Sequence, residues 1–141
     1  MLKGIPELID PELLYLLASL GHGDELALVD RNYPAASTGQ RVAYLWGVDV
    51  TTAAEAIRQL VPIDTFVDEP VIRMEVVGAP DEIPEVQRAF LEVVSRAAGR
   101  DVRMGSLPRH DFYERVRGAF AVVATSEARP YGCFVLTTGV V

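Results

Sequence analysis

Apolar residues recur along the chain with two spacings that alternate from one segment to the next. Between positions 11 and 20, four leucines fall at i, i+3, i+4 and i+7, which predicts an amphipathic helix. Asp10 and Pro11 precede them, a capping carboxylate followed by a residue suited to the first helical turn. We expect Gly21 to end this helix in a left-handed conformation. An apolar run at 25–29 predicts a buried strand directly after it.

The same alternation continues through the rest of the sequence. Further strands are predicted at 42–46, 71–77, 102–104, 120–124 and 134–138, and further helices at 51–60, from a cap near Asp81 to Gly99, and at 108–116. Residues 31–41 have no period and contain a proline and a glycine, so we expect a surface loop. On the helix before Gly99, Gln87 falls on the face expected to be solvated. Helices alternating with buried strands predict an α/β fold with a layered sheet, formed by one domain over residues 1–141.

Composition narrows the possible partners and location. A net charge of −7 and a pI near 4.8 argue against binding to nucleic acid or to an anionic membrane surface. The single cysteine cannot form an intrachain disulfide, and the first residues lack the layout of a signal peptide, so we expect a cytoplasmic protein. The mean hydropathy of +0.20 suggests apolar surface between subunits. Val140-Val141 would form either an edge strand or such a contact.

The most reactive group near the first strand is His22, which lies between two glycines. Gly21-His22-Gly23 is not a dinucleotide-binding motif, because position 26 is leucine and the segment precedes a strand instead of following one. A metal site built from His22, Asp24 and Asp30 is disfavoured, because the chain has only two histidines and the other has no partner at a ligand spacing. We expect neither a metal nor a cofactor.

His22 is either an ordinary hydrogen-bonded histidine or a proton-transfer group. Flanking glycines would let the backbone approach a ligand, and the reference pKa of about 6.5 for an imidazole suits proton exchange near neutral pH. Asp30 ends the first strand, at the edge where open α/β sheets bind ligands, or it caps the loop that follows. These features make both residues candidates for a site.

Four residues in other segments could bind a ligand, react or pack in the core. Arg109 begins a helix, where its charge opposes the dipole, so we interpret it as a candidate for binding a ligand. Tyr131 either offers its hydroxyl and ring to a ligand or packs in the core. Cys133 lacks positive neighbours and is not expected to be a nucleophile. We expect Trp46, the only tryptophan, to lie in the core.

Several stretches together resemble a known family. They are the opening MLKGIPELIDPELL, then LGHGDE and VDRNYPA, and later FYERVRGAFAVVAT at 112–125 and RPYGCFVLTTGVV at 129–141. These segments resemble the family of L-fucose mutarotase and D-ribose pyranase over nearly the whole chain. GHGDE and FYER favour the fucose branch.

The resemblance implies a three-layer α/β/α sandwich with a mainly parallel sheet, assembled into a ring, typically a decamer, with sites at subunit boundaries. It also implies interconversion of sugar anomers or ring forms without cofactor or metal. The family's catalytic histidine matches His22, its substrate aspartate Asp30 and the fucose-branch arginine Arg109. The tyrosine motif matches Tyr131-Gly132-Cys133, where the family usually has asparagine in place of the cysteine.

These observations lead to one main hypothesis, a mutarotase acting on L-fucose or a related aldose. In it, His22 moves protons, Asp30 orients His22 or holds a sugar hydroxyl, and Arg109 and Tyr131 position other hydroxyls. Cys133 motivates an alternative, a sugar-binding or sensing protein without turnover, because a thiol hydrogen-bonds more weakly than an amide. A structural oligomer without a ligand is a third possibility.

Overall fold

The computed structural model describes residues 2–141, over which the chain forms five helices and six strands. The helices are α1 (Pro11–Ala18), α2 (Ala35–Thr38), α3 (Val50–Arg58), α4 (Glu85–Ala98) and α5 (Arg109–Gly118). The strands are β1 (Glu25–Val29), β2 (Val42–Leu45), β3 (Val71–Met74), β4 (Met104–Leu107), β5 (Ala121–Thr125) and β6 (Phe134–Thr137). None of the helices within residues 2–141 is long and apolar enough to cross a bilayer.

All six strands form one sheet in the order β2-β5-β1-β6-β3-β4. Five strands run in the same direction, and β6 alone runs against its neighbours β1 and β3. The prediction of a mainly parallel sheet is therefore confirmed. Val140 and Val141 follow β6 without joining any of the six strands, so the interpretation of these two residues as an edge strand is wrong.

Alternate residues of β1 face opposite sides of the sheet and belong to two separate apolar cores. Leu26 and Leu28 join the core beneath α1, α3 and α4, where the rings of Phe90 and Phe134 stack. Ala27 and Val29 join the second core, beneath α2 and α5. Successive side chains of a strand point to opposite faces, and both faces of β1 are covered by a core, so its central residues are all apolar. Helices on both faces make this a three-layer α/β/α sandwich, as expected.

The start of α1 follows the prediction, whereas its end does not. The Asp10 carboxylate accepts a hydrogen bond from the Leu13 amide at 2.8 Å. The helix stops at Ala18, and Gly21 is not left-handed; Gly23 instead has a positive φ of 84°. The Gly21 amide donates to the Asp24 carboxylate at 2.7 Å. With this contact between a main-chain amide and a side chain, the left-handed residue lies two positions later than predicted.

Other boundaries also differ from their predictions. The segment 31–41 contains the short helix α2, which the loop prediction missed. The helix α4 begins after Pro84 without a side-chain cap, so the predicted cap near Asp81 is wrong. The helix ends at Gly99 as expected, and this residue is left-handed. The strand β4 begins at Met104 and not at Val102. Val102 is buried in the core, but pairing with β3 starts only at Met104.

Candidate active site

His22 lies in the turn between α1 and β1, where it contacts a buried carboxylate. Its Nε2 atom is 3.0 Å from Oδ1 of Asp64, whose side chain is 2% exposed, while the imidazole is 48% exposed. The turn is fastened to the end of β6, because the Gly23 amide donates to the Thr138 carbonyl and the Thr138 amide to the Asp24 carbonyl, each at 2.8 Å. The turn is thus held in place while about half of the imidazole stays exposed to solvent.

The Asp64 carboxylate is held in its ionised form. Burial acts to raise its pKa, but hydrogen bonds from the Val67 amide, His22 and the Phe66 amide outweigh burial and leave the pKa below its usual value. The two amides donate to Oδ2 at 2.9 and 3.0 Å. An ionised carboxylate only accepts, so Nε2 of His22 carries a proton and Nδ1 of the neutral ring keeps its lone pair. This arrangement suits a general base.

Asp64 was absent from the sequence-based candidates. An aspartate that accepts from amides two and three residues ahead forms an Asx-type turn, which a sequence pattern can suggest. The pairing with His22 spans 42 residues and leaves no such pattern.

Asp30 lies at the other end of β1 and does not orient His22 within the protomer. The five residues of β1 separate the two, a span of about 17 Å at about 3.3 Å per residue. The suggestion that Asp30 orients His22 is therefore wrong for a single chain. Burial raises the pKa of Asp30 above its usual value, against opposing hydrogen bonds that include the Asn32 amide at 3.0 Å.

Cys133 does lie beside Asp30. Leu28 pairs with Phe134, so the antiparallel register brings the residue before Phe134 close to the end of β1. Burial, followed by the charge of Asp30, raises the pKa of the Cys133 thiol well above its usual value. The thiol is neutral at physiological pH, in agreement with the expectation that it is not a nucleophile.

The residues before Cys133 form a constrained turn. Tyr131 has a φ of 64°, the only positive value among the non-glycine residues within positions 2–141. Such a conformation costs about 1–3 kcal/mol in a residue with a side chain. A Cβ on Gly132 would lie 2.8 Å from Cγ of Glu127, so only glycine fits there without displacement. The turn directs the Tyr131 hydroxyl to the end of β3, where it accepts from the Val77 amide at 3.2 Å.

Gln87 supports this turn from beneath. It is completely buried, which makes the expectation of a solvated position wrong. Its Nε2 donates to the carbonyls of Met74 at 2.8 Å and Tyr131 at 3.0 Å, and its Oε1 accepts from Arg73 at 3.2 Å. Burial is tolerated because every polar atom of the amide has a partner. The helical period placed Gln87 on the solvent-facing side of α4. A period along one helix cannot show that carbonyls of other segments lie beside the residue.

Arg109 lies on the same edge of the sheet as Asp30 but farther along it. It is the first residue of α5 and lines a hollow of about 510 Å³ with Glu75 and Val76. β4, which precedes it, is three strand positions from β1, or about 14 Å at about 4.8 Å per strand. The Tyr131 hydroxyl lies between them, at Val77. The edge thus carries Asp30, Tyr131 and Arg109 in a row.

An aromatic pair borders the Asp30 end of this row. Trp46 is 65% exposed and its ring stacks on Tyr44 with centroids 5.0 Å apart, so the expectation of a core tryptophan is wrong. β2 is an edge strand, and its alternate residues point away from the core. Both rings and Asp30 line a hollow of about 270 Å³. An exposed apolar ring beside a carboxylate suits a ligand with both apolar and hydroxyl faces.

Within residues 2–141, no three histidine, cysteine or acidic side chains are grouped to hold a metal ion. The candidate residues instead form two separate sets. His22 and Asp64 lie at the amino-terminal end of β1, and Asp30, Cys133, Tyr131 and Arg109 lie along the opposite edge.

Comparison with known proteins identifies relatives over almost the whole chain. Residues 3–141 match the sequence model of the RbsD / FucU transport protein family. The fucose mutarotase of Homo sapiens is 42% identical over 144 residues, which cover 99% of this chain and 94% of that protein. The L-fucose mutarotase of Haemophilus influenzae (strain 86-028NP) is 39% identical over 140 residues, covering 99% and 97%. The crystal structure of the fucose mutarotase from Streptococcus pneumoniae in complex with L-fucose superposes with a TM-score of 0.91 at 38% identity, covering 99% of each chain.

Proposed function

The chain belongs to the RbsD / FucU transport protein family, and from this premise we propose that it is a mutarotase acting on L-fucose or a related aldose. Relatives named as fucose mutarotases at 42% and 39% identity indicate an isomerase of the mutarotase type. We propose that residues 1–141 act as one such domain, without a cofactor. The observation that carries the mechanism is the half-exposed imidazole of His22, fixed by the buried Asp64.

Mutarotation requires two proton movements on the sugar. A proton leaves the anomeric hydroxyl and another reaches the ring oxygen, so the ring opens and can close on either face. A group that accepts and returns protons near neutral pH accelerates such a step by about 10²–10⁴-fold. In our proposal Nδ1 of His22 takes the hydroxyl proton, and the imidazolium so formed returns a proton to the ring oxygen as the C1–O bond breaks. Asp64 holds the ring orientation and stabilises the imidazolium that forms.

The proposal gives the opposite edge of the sheet the task of binding the sugar. Asp30 accepts a hydrogen bond from a sugar hydroxyl, and the Arg109 guanidinium and the Tyr131 hydroxyl position others. Gly132 contributes by allowing the turn that positions Tyr131, and Cys133 contributes by its contact with the Asp30 carboxylate. A bond between an ionised group and a hydroxyl is about twice as strong as one between neutral groups. Asp30 and Arg109 therefore supply most of the selectivity in this arrangement.

Since the two sets of residues lie about 17 Å apart along β1, a sugar held at Asp30 of one chain would meet His22 of another. We therefore propose a homo-oligomer with shared sites, a ring and specifically a decamer. Exposed apolar side chains near both ends support an assembled state, among them Phe66 beside His22 and Trp46 beside Asp30. Light scattering would measure the mass in solution. A monomer with full activity would contradict the shared site.

We also propose a cytoplasmic location. Its support is the lone cysteine, Cys133, which is free and buried, together with the acidic composition. Fractionation of cells that express the tagged chain would test this assignment.

Saturation-transfer NMR on the anomers of L-fucose and D-ribose tests turnover and sugar identity together. We expect the native protein to accelerate anomer exchange and His22→Ala to abolish the acceleration while sugar binding persists. Saturation-transfer difference signals from the sugar provide the binding measurement. The sugar with the larger acceleration at equal concentration is assigned as the preferred substrate.

A second candidate function is sugar binding without turnover. It is favoured by Cys133, because a neutral buried thiol replaces the asparagine usual in the family that the sequence resembles. Binding of either sugar by the native protein with no acceleration of exchange would establish this alternative and overturn the mutarotase proposal.

A further inference from the structure

A cavity of about 320 Å³ lies between the ends of α3 and α4 and the segment that leads to Asp64. It contains none of the residues assigned to proton transfer or sugar binding. Four of its side chains carry hydrogen-bond donors, namely Arg58, Gln59, Thr65 and Arg100, and no lining side chain within residues 2–141 is acidic, although Val141 brings its main-chain carboxylate to the same lining. Two guanidinium groups thus line one cavity in a chain whose net charge is −7.

Arg58 is the most unusual member of this cavity. The residue is 9% exposed, and its Nε atom is the one buried side-chain nitrogen or oxygen without a hydrogen-bond partner among residues 2–141. It forms no ion pair within that part of the chain. Burial, followed by the charge of Arg100, lowers the pKa of Arg58. A buried charge without a counter-charge is costly, and no carboxylate among residues 2–141, that of Val141 included, lies within 4 Å of the guanidinium nitrogens of Arg58 or Arg100.

Helix dipoles offer a simpler explanation for the two arginines. Arg58 is the last residue of α3, and Arg100 follows α4 by two residues, where positive charge is favoured by the partial negative charge of helix ends. Direct bonds to the free carbonyls there would satisfy the guanidinium groups. Arg58 makes no such bond at Nε, and Arg100 donates to the carbonyl of Asp64, at 2.8 Å, outside either helix. The carbonyls at the two helix ends therefore do not provide acceptors for all N–H groups of Arg58 and Arg100.

We propose that this cavity binds a small oxyanion of the phosphate class, either free or carried on a small metabolite. Guanidinium groups bind such oxygens through two parallel N–H donors, and Arg58 and Arg100 line the same space. The Thr65 hydroxyl and the Gln59 amide supply neutral donors beside them. The volume lies at the lower end of the range of about 300–1,000 Å³ typical of small-molecule sites, which leaves room for a short organic group.

The cavity is connected to His22 through one residue. Arg100 lines the cavity and donates to the main-chain carbonyl of Asp64, whose carboxylate contacts His22. An anion that draws the Arg100 guanidinium toward itself changes the environment of Asp64. We therefore expect anion binding to shift the imidazole resonances of His22. Anion binding and the shift of the His22 resonances are both expected whether or not the protein catalyses mutarotation.

Titration with inorganic phosphate at constant ionic strength, balanced with sodium chloride, tests the site. We expect a saturable rise in Tm and saturable shifts of the Arg58 and His22 side-chain NMR signals in the native protein. Arg58→Met, which keeps the aliphatic stem, should weaken phosphate binding at least tenfold. Without phosphate it should be as stable as the native protein or more stable, because an unpaired buried charge is removed. Arg96→Met, on the exposed face of α4 beside Glu92, should bind as the native protein does.

A parallel titration with glycerol 3-phosphate distinguishes the two sources of the oxyanion. Tighter binding than inorganic phosphate assigns the site to a phosphorylated metabolite, and equal binding assigns it to free phosphate. Equal increases of Tm in the native protein and in Arg58→Met would reflect the general exclusion of phosphate from protein surfaces and would overturn the proposal. Absence of saturation would also overturn it. Should Arg58→Met not fold, Arg58→Lys retains the charge without the planar fork and should still weaken binding.

Discussion

The imidazole of His22 and the carboxylate of Asp64 are 3.0 Å apart although 42 residues separate them in the chain. The carboxylate is buried and accepts two main-chain amides on its other oxygen, so its position does not depend on the histidine. The imidazole is the more exposed partner. Asp64 therefore acts as a positioning residue, and His22 is the group free to meet a substrate.

Replacing Asp64 by asparagine should reverse the histidine tautomer. An amide that keeps its oxygen on the Phe66 and Val67 amides presents an N–H group to Nε2 of His22, which places the imidazole proton on Nδ1. We expect the anomer exchange rate to fall by about 10²-fold, within the usual contribution of acid/base catalysis, with little change in sugar binding. Saturation transfer and the nitrogen chemical shifts of His22 measure the two effects. Asp24→Asn, in the same turn, serves as the control, and equal rates in both variants would refute this role.

Mixed oligomers should reveal whether one site uses two chains. His22→Ala and Asp30→Asn are each expected to be inactive. After the two variants are unfolded together at equal amounts and reassembled, one half of the sites contain His22 and one half of these contain Asp30. If sites are shared, about one quarter of the native rate should return. Activity that stays at the level of the separate variants would place both residues in one chain.

Asp30→Asn should increase stability at neutral pH. Because burial raises the folded-state pKa of Asp30, its ionisation opposes folding. The contribution of this group to stability is complete below the unfolded pKa of about 3.9 and is lost as the pH rises through the folded pKa. The Asn32 amide can still donate to an asparagine oxygen. Urea unfolding at pH 7 and pH 3 should show a higher midpoint for the variant at pH 7 only. An unchanged difference at both values would contradict the argument.

Trp46 should report sugar binding directly, because it is the only tryptophan and it borders the hollow beside Asp30. We expect its fluorescence to change with sugar concentration and to saturate. Trp46→Ala should raise KM several-fold with a smaller effect on kcat, while Trp46→Phe keeps a ring and most of the affinity. A native signal that does not respond to any sugar accelerated in the exchange assay would place Trp46 outside the site.

Sequence periodicity predicted most helices and strands because each depends on local spacing and burial. The apolar run of β1 placed Asp30 at the carboxyl-terminal edge of the sheet, where the structure has it. The features that were missed depend on contacts between distant segments. Asp64 meets His22 through the end of β6, and Gln87 finds its partners in β3 and the Tyr131 turn. Trp46 is exposed because it follows β2, an edge strand. The edge position depends on the strand order, which the apolar pattern of the sequence does not give.

The central position of β6 has a consequence for how the protein is made. During synthesis, β1, β2 and β5 can pair before β6 leaves the ribosome, and so can β3 with β4, but the two groups share no strand pairing until residues 134–137 emerge. Until then the nascent chain presents open strand edges on β1 and β3. Such edges recruit other chains, so β6, which follows the other five strands in the sequence, is also the strand that covers the open edges of both groups.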